Sequence, residues 1–346
     1  MWQDELLNWY RNNKRDLPWR KNKDPYSIWI SEIMLQQTRV ETVKEYYRRF
    51  LERLPTIKEL AEVSPDELMK LWEGLGYYSR ARNLQKAAQI IMLDYQGQFP
   101  SRYEEILKLP GIGLYTAGAV ASIAFGEKVP AVDGNVNRVV TRFFGIREPI
   151  ERPSVKRQIF DYAMQAVPAD APGDFNQALM ELGATICGAK SFKCECCPIS
   201  SCCAAARDGD VMELPIHEKK PKPKEMDVGV LLLTYQKKIL ILKRTEQLLH
   251  GLYVFYLTEG ISDVKRISTY LEQDEICARK LKKCGEAKHV FTHRIWNMII
   301  YQAELSEEPK AFLRKHPEAD FVDTNKLERL PFPTAMEKAL GIALKE

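Results

Sequence analysis

Nothing in this 346-residue chain approaches the run of ~20 apolar residues that a membrane-spanning helix needs. The first residues, MWQDELLNWYRNNKRDLPW, bring in Asp4 and Glu5 early and hold no apolar block, so no secretion signal is expected. Internal repeats and low-complexity tracts are missing. Strong charge of one sign is missing too. A formal charge of +4 and a pI of about 8.5 suit an anionic partner without demanding one, so any nucleic-acid site should be a local basic face. Disulfide-style cysteine spacing is also absent. Of eight cysteines, six lie between Cys187 and Cys203, which reads as a metal site in a reducing, cytoplasmic setting.

What is present is enough chain for two domains with a core each. Residues 1 to about 206 read as nearly all helix, and strand-like runs are scarce there. Capping boxes mark starts at Thr56 with Glu59, Ser64 with Glu67 and Ser101 with Glu104. Residues 207–226, charged and proline-bearing, read as an extended, exposed linker. Beyond it, over residues 227–346, the pattern turns to β: Val228–Tyr235, Ile239–Lys243, Tyr253–Leu257 and Trp296–Leu305. Helical patterns near Ser262–Gln273 and Pro333–Leu344 make this second domain α+β.

Leu109 to Val136 is the stretch the chain is organised around. Gly111 and Gly113 bracket one apolar residue, which lets the backbone turn sharply and approach a partner closely. A helix starts at Leu114, and its unpaired N–H groups and dipole attract an anion such as a DNA phosphate. Ala117, Gly118, Ala119 and Ala121 are small enough for another helix to lie close. The helix fades at Phe125-Gly126, and the chain emerges with an isolated carboxylate, Asp133, which reads either as a helix cap or as a catalytic group.

A second carboxyl stands in DPYSIWISEIMLQQT. The helical neighbours of Glu32 are Ile28, Trp29, Leu35 and Gln36, none of them basic. Such a carboxyl should have a raised pKa, as a general acid needs, unless a distant Arg reaches it. Two carboxyls with separated pKa values follow the logic of sugar hydrolases. Cys187, Cys194, Cys197 and Cys203 follow the spacing C-x6-C-x2-C-x5-C, which suits either an iron–sulfur cluster or structural zinc, with Cys196 and Cys202 beside two of them. The loop from Trp72 to Arg82 mixes glycines, aromatics and arginines. Leu75 and Tyr77 could wedge into a base stack with Arg80 and Arg82 near phosphates, or simply cap the core.

The segments SEIMLQQT, WEGLGYYSRARNL, LPGIGLYT, VDGNVNRV and FNQALMELGATIC resemble the MutY-type adenine DNA glycosylases of the endonuclease III, helix-hairpin-helix superfamily. The resemblance runs over essentially the whole chain. It implies an all-α helix-hairpin-helix core with a [4Fe-4S] loop, followed by an α+β Nudix-like domain. It also implies a monomeric enzyme that flips and removes adenine opposite 8-oxoguanine in duplex DNA. It casts Glu32 as the acid and Asp133 as the carboxylate at the deoxyribose. Tyr115 stands where the lyase branch has a lysine; a phenol forms no imine, so base removal without strand cleavage is implied. Arg20 and Gln177 fall in the adenine pocket, Gln177 having a capping box with Asp174 as its other reading. Gln37, Thr38, Leu75 and Tyr77 fall on the strand that carries 8-oxoguanine. Phe291, Thr292 and His293 occupy the family's Phe-Ser-His lesion-sensing loop, and no Glu-rich Nudix box is present. HGLYVFYL replaces the usual Trp-Glu-Phe-Pro segment. Other readings are a thymine-mismatch or endonuclease III-like glycosylase, or a catalytically inactive DNA-binding relative.

Overall fold

The computed structural model describes residues 1–219 and 221–344. They form two compact units: one of residues 1–62 and 82–219, the other of residues 63–81 and 220–346. No helix among the described residues is long and apolar enough to cross a membrane.

The first unit is helical. The Pro25–Leu35 helix is started by Asp24, whose carboxylate accepts the Ser27 N–H at 2.8 Å, with proline in the first turn where its missing N–H costs nothing. Every residue from Tyr26 to Met34 is buried, so this helix runs through the core and carries Glu32 inside with it. The Leu114–Phe125 helix lies against it and ends at Gly126 in the left-handed conformation. The small residues serve two neighbours. A Cβ on Gly118 would meet Pro130 O at 2.1 Å, so the chain after the helix fills that side. The close approach of a second helix comes instead from Gly173, whose added Cβ would meet Ile123 Cα at 2.7 Å. Gly173 belongs to the Pro172–Thr185 helix, which starts from Ala171; the expected Asp174 capping box is therefore not what starts it. Ser101 and Glu104 also form no box. That helix begins at Tyr103, whose N–H is taken by Glu127 at 2.7 Å. At Gly111, φ is +77° and a Cβ would come within 2.5 Å of Asn83, whereas Gly113 has open space beside it.

Residues 207–219 differ from the extended, exposed linker expected. A short helix, Ala204–Asp208, leads into a turn in which Val211 and Leu214 are buried with Ala205. Arg142 Nε donates to Leu214 O at 2.9 Å, and Ile150 N–H to Ile216 O at 3.1 Å. The apolar residues scattered among the charges are what hold this segment down.

The second unit holds a mixed sheet: β1 (Lys224–Tyr235), β2 (Lys238–Lys243), β3 (Tyr253–Val254), β4 (Tyr256–Glu259), β5 (Lys282–Val290), β6 (Arg294–Glu304) and β7 (Ala319–Asp323). The order is β3-β2-β1-β6-β5, with β4 on β1 and β7 on β2, and β1 runs parallel to β6. Alternate residues of β1 face opposite ways. Val228, Val230 and Leu232 meet the Thr334–Ala343 helix; Leu231 and Leu233 meet the Val264–Gln273 helix. The expected Tyr253–Leu257 strand is split at Phe255, so that Tyr253–Val254 pairs with β2 and Tyr256–Glu259 with β1. β5 and β7 have no counterpart among the strands expected from sequence. Residues 63–81 enter this unit with the Pro65–Trp72 helix, capped by Ser64.

Candidate active site

A cleft of about 460 Å³ opens between the Pro25–Leu35, Leu114–Phe125, Gly134–Phe144 and Pro172–Thr185 helices. It brings together Arg20, Glu32, Gln37, Thr38, Tyr115, Asp133 and Gln177, drawn from distant parts of the sequence. Glu32 is 6% exposed. Burial raises its pKa to about 7; the Tyr115 hydroxyl donates to its carboxylate and works the other way, while Asp133 raises it and Arg20 lowers it. The distant-arginine alternative is therefore present but secondary. Burial, with Glu32 beside it, pushes the Tyr115 phenol well above its usual range.

Asp133 caps the Gly134–Phe144 helix, accepting the Val136 N–H at 2.7 Å and the Asn135 amide at 2.8 Å, and it lines the cleft. Burial raises its pKa, and these donors oppose the rise. The segment before it is anchored by Asn176, which is 1% exposed. Asn176 accepts the Ala131 N–H at 3.0 Å and donates to Val129 O at 2.8 Å and Ser122 Oγ at 2.9 Å. Glu181 is fully buried and accepts from Arg15 Nε at 2.7 Å and from Arg20 Nη2 at 2.8 Å. Burial alone would raise its carboxyl; the two guanidiniums hold it below the usual range. Glu181 thus fixes Arg20 at the cleft wall. Gln177 turns its amide to Gly173 O in its own helix, at 3.3 Å. Gln37 sits at φ +61°, and its neighbour Gln36 donates to Thr116 Oγ1 at 3.2 Å. Sequence reasoning did not find Asn176, Glu181, Arg15 or Gln36. Glu181 is one turn beyond Gln177 in the same helix, and that spacing was the available signal.

Cys187, Cys194, Cys197 and Cys203 line one small cavity, with Arg142 and Phe192 beside them, while Cys196 and Cys202 are exposed. The donor set fits thiolates. Buried Arg142 Nη1 donates to Cys187 Sγ at 3.2 Å and to Gly188 O at 2.8 Å, and Arg138 Nε donates to Cys187 O at 2.8 Å. Both arginines come from the helix that Asp133 caps. Among the described residues no group of three His, Cys, Asp or Glu is placed to hold a single metal ion.

The family described as HhH-GPD superfamily base excision DNA repair protein matches residues 30–161, and the NUDIX domain family matches residues 229–341. An adenine DNA glycosylase of Buchnera aphidicola subsp. Schizaphis graminum is 34% identical, over 97% of each chain. The chain belongs to the adenine DNA glycosylase family. The human adenine DNA glycosylase is 46% identical over 58% of this chain but only 38% of its own length. Among solved structures, a thermostable thymine-DNA glycosylase matches with a TM-score of 0.54 and 33% identity, over 60% of this chain and 95% of its own. A non-covalent endonuclease III–DNA complex matches with a TM-score of 0.52 and 26% identity, over 60% and 94%. The chain is thus a base-excision DNA glycosylase with a helix-hairpin-helix core and a Nudix-like domain.

Of the residues expected on the lesion strand, Gln37 and Thr38 line the cleft of the first unit, while Leu75 and Tyr77 belong to the second. Leu75 is buried at 5% exposure, so it is not the projecting wedge; Tyr77 projects, 47% exposed. Arg80 is buried instead of facing phosphates. It donates to Leu75 O at 2.9 Å and Gly76 O at 3.0 Å and lies over the Trp72 and Tyr77 rings. Phe291, Thr292 and His293 form the turn between β5 and β6. Phe291 stacks edge-on to Trp296 at 5.0 Å, and Thr292 Oγ1 lies 2.8 Å from the Tyr77 hydroxyl.

Proposed function

We propose that this glycosylase hydrolyses the N-glycosidic bond of adenine paired with 8-oxoguanine and leaves the strand uncut. The observation that carries the reading is one buried carboxyl with a pKa of about 7 in the same cleft as a second, helix-capping carboxylate. The adenine must leave the stack to reach the cleft. Glu32, about half protonated at neutral pH with its pKa of about 7, donates its proton to a ring nitrogen of adenine as the C1′–N9 bond breaks. Asp133, its orientation fixed by two donors, stabilises the positive charge that develops at C1′. Water adds to C1′, and its proton returns to a carboxylate. Tyr115 supplies no amine, so no imine links protein to sugar. Arg20 and Gln177 border the adenine, while the Gly111–Gly113 turn and the start of the Leu114 helix hold a phosphate.

A [4Fe-4S] cluster held by Cys187, Cys194, Cys197 and Cys203 would order their loop; it takes no part in the steps above. Labour is divided between residues 1–206, which carry the chemistry, and 227–346, which read the opposite base together with the 63–81 segment that groups with them, with 207–226 as the connection. In the second unit Tyr77, Phe291, Thr292 and His293 meet 8-oxoguanine, with Leu75 supporting the loop from within; in the first, Gln37 and Thr38 bind the DNA strand opposite the adenine.

Two outcomes follow. Tyr115→Phe removes a hydrogen bond that favours the ionised form of Glu32, so the pKa of Glu32 rises. The alkaline fall in single-turnover excision should move to higher pH; an unmoved limb would separate Tyr115 from the acid. Thr292→Ala should lower the ratio of excision rates opposite 8-oxoguanine and opposite guanine by about three- to tenfold, the worth of one hydrogen bond. An unchanged ratio would remove this loop from lesion sensing.

A further inference from the structure

Residues 63–81 group with the C-terminal sheet although some 140 residues of the other unit intervene in sequence. A row of polar contacts within this unit explains the grouping. Asp66 accepts from Lys243 Nζ, and the Tyr253 hydroxyl donates to the same carboxylate at 3.3 Å. Lys243 also lies over the Tyr253 ring. One turn on, Lys70 donates to Glu73, and Glu73 accepts the Phe332 N–H at 3.0 Å. The row ends at Tyr77 and Thr292, 2.8 Å apart. Between Glu73 and Tyr77 the backbone is unusual: Gly74, Gly76 and Tyr77 have φ of +91°, +69° and +46°. A tyrosine in that conformation persists only when its surroundings dictate it.

We propose that Asp66 is a positioning residue: through Lys243 and Tyr253 it seats the Pro65–Trp72 helix on the C-terminal sheet and so holds Tyr77 against Thr292. The base-reading surface is then one two-part device, and its selectivity depends on an ion pair that touches no DNA. Tyr253 lies in the Gly251–Leu257 segment, which replaces the usual Trp-Glu-Phe-Pro. The inference rests on the proposed reading of 8-oxoguanine by this unit.

The test uses the full chain with Asp66→Lys and the charge swap Asp66→Lys with Lys243→Asp. Asp66→Lys puts two cations together. It should raise deuterium uptake in peptides covering 63–81 without DNA, and lower the 8-oxoguanine-to-guanine ratio of excision rates by roughly two- to fivefold, the scale of a half-exposed pair. Excision opposite guanine should hardly change. The swap should restore both uptake and ratio. Unchanged uptake in Asp66→Lys, an unchanged ratio despite raised uptake, or a swap that restores neither would each overturn the proposal. A wild-type chain that releases adenine from neither duplex would sink the functional reading instead, and the uptake data would still judge the seat.

Discussion

Glu32→Gln is expected to cut single-turnover adenine release by at least about 10⁴-fold while duplex binding stays within a few-fold of wild type. The upper end of what general acids supply is ~10⁴, and unprotonated adenine is a poor leaving group, so the whole step depends on this proton. Gln matches Glu in shape and can still accept the Tyr115 hydroxyl, which separates loss of the proton from loss of packing. The same substitution should stabilise the fold at alkaline pH. Burial raises the Glu32 pKa from 4.5 to about 7. Below the lower value both folded and unfolded chains hold the proton, and the fold keeps that contribution in full. As pH rises through the folded value, the unfolded chain has already released its proton and the folded chain must bury a charge. The cost grows to about 3 kcal/mol, from 1.36 kcal/mol per pH unit. Urea unfolding should therefore show Glu32→Gln more stable than wild type at pH 8.5, with the gap shrinking towards pH 4. Near-normal excision, or a stability gap that does not depend on pH, would remove Glu32 from the acid's role.

Cys187→Ser should cost the protein its iron and much of its stability. The Cys187 carbonyl and sulfur accept from Arg138 and Arg142, which grow from the helix capped by Asp133. Losing the group that closes the loop therefore loosens the element that aims the carboxylate. Metal binding and folding are coupled in such sites. Wild type should carry iron and sulfide at about four each per chain, as a [4Fe-4S] cluster requires. Cys196→Ser and Cys202→Ser should keep that content, because both side chains point outward, whereas Cys187→Ser should not. Zinc in place of iron after anaerobic purification, or full iron in Cys187→Ser, would contradict the assignment.

Much of the cleft was legible because its signals are local. Asp24 and Pro25 mark the start of a helix whose interior is apolar on all sides, and a lone Glu in such a helix has nowhere to go but inside. Asp133 read as a cap or as a catalytic group; it caps the Gly134–Phe144 helix and lines the cleft. Illegible features have partners brought in by tertiary structure. Arg142 and Asn176 are polar residues in the core whose hydrogen-bond partners come from other elements, and nothing beside them in sequence announces those partners. β5 escaped because KKCGEAKHV has almost no β-branched residues; it is a strand because β6 offers it an edge. Ser101 failed as a cap because Glu127, from beyond the next helix, took the N–H it would have accepted. Residues 63–81 look like ordinary helix and loop, and their attachment to the C-terminal sheet depends on Lys243, Tyr253 and Phe332.

The most direct measurement is of what leaves the DNA. Wild-type protein, in excess over a duplex with one adenine opposite 8-oxoguanine, should release free adenine, identified by chromatography and mass, one per duplex. The strand should break only after alkali, and borohydride should trap little protein on it. Release of thymine from a mismatch instead, cleavage without alkali, or no base at all from a chain that binds the duplex would contradict the account.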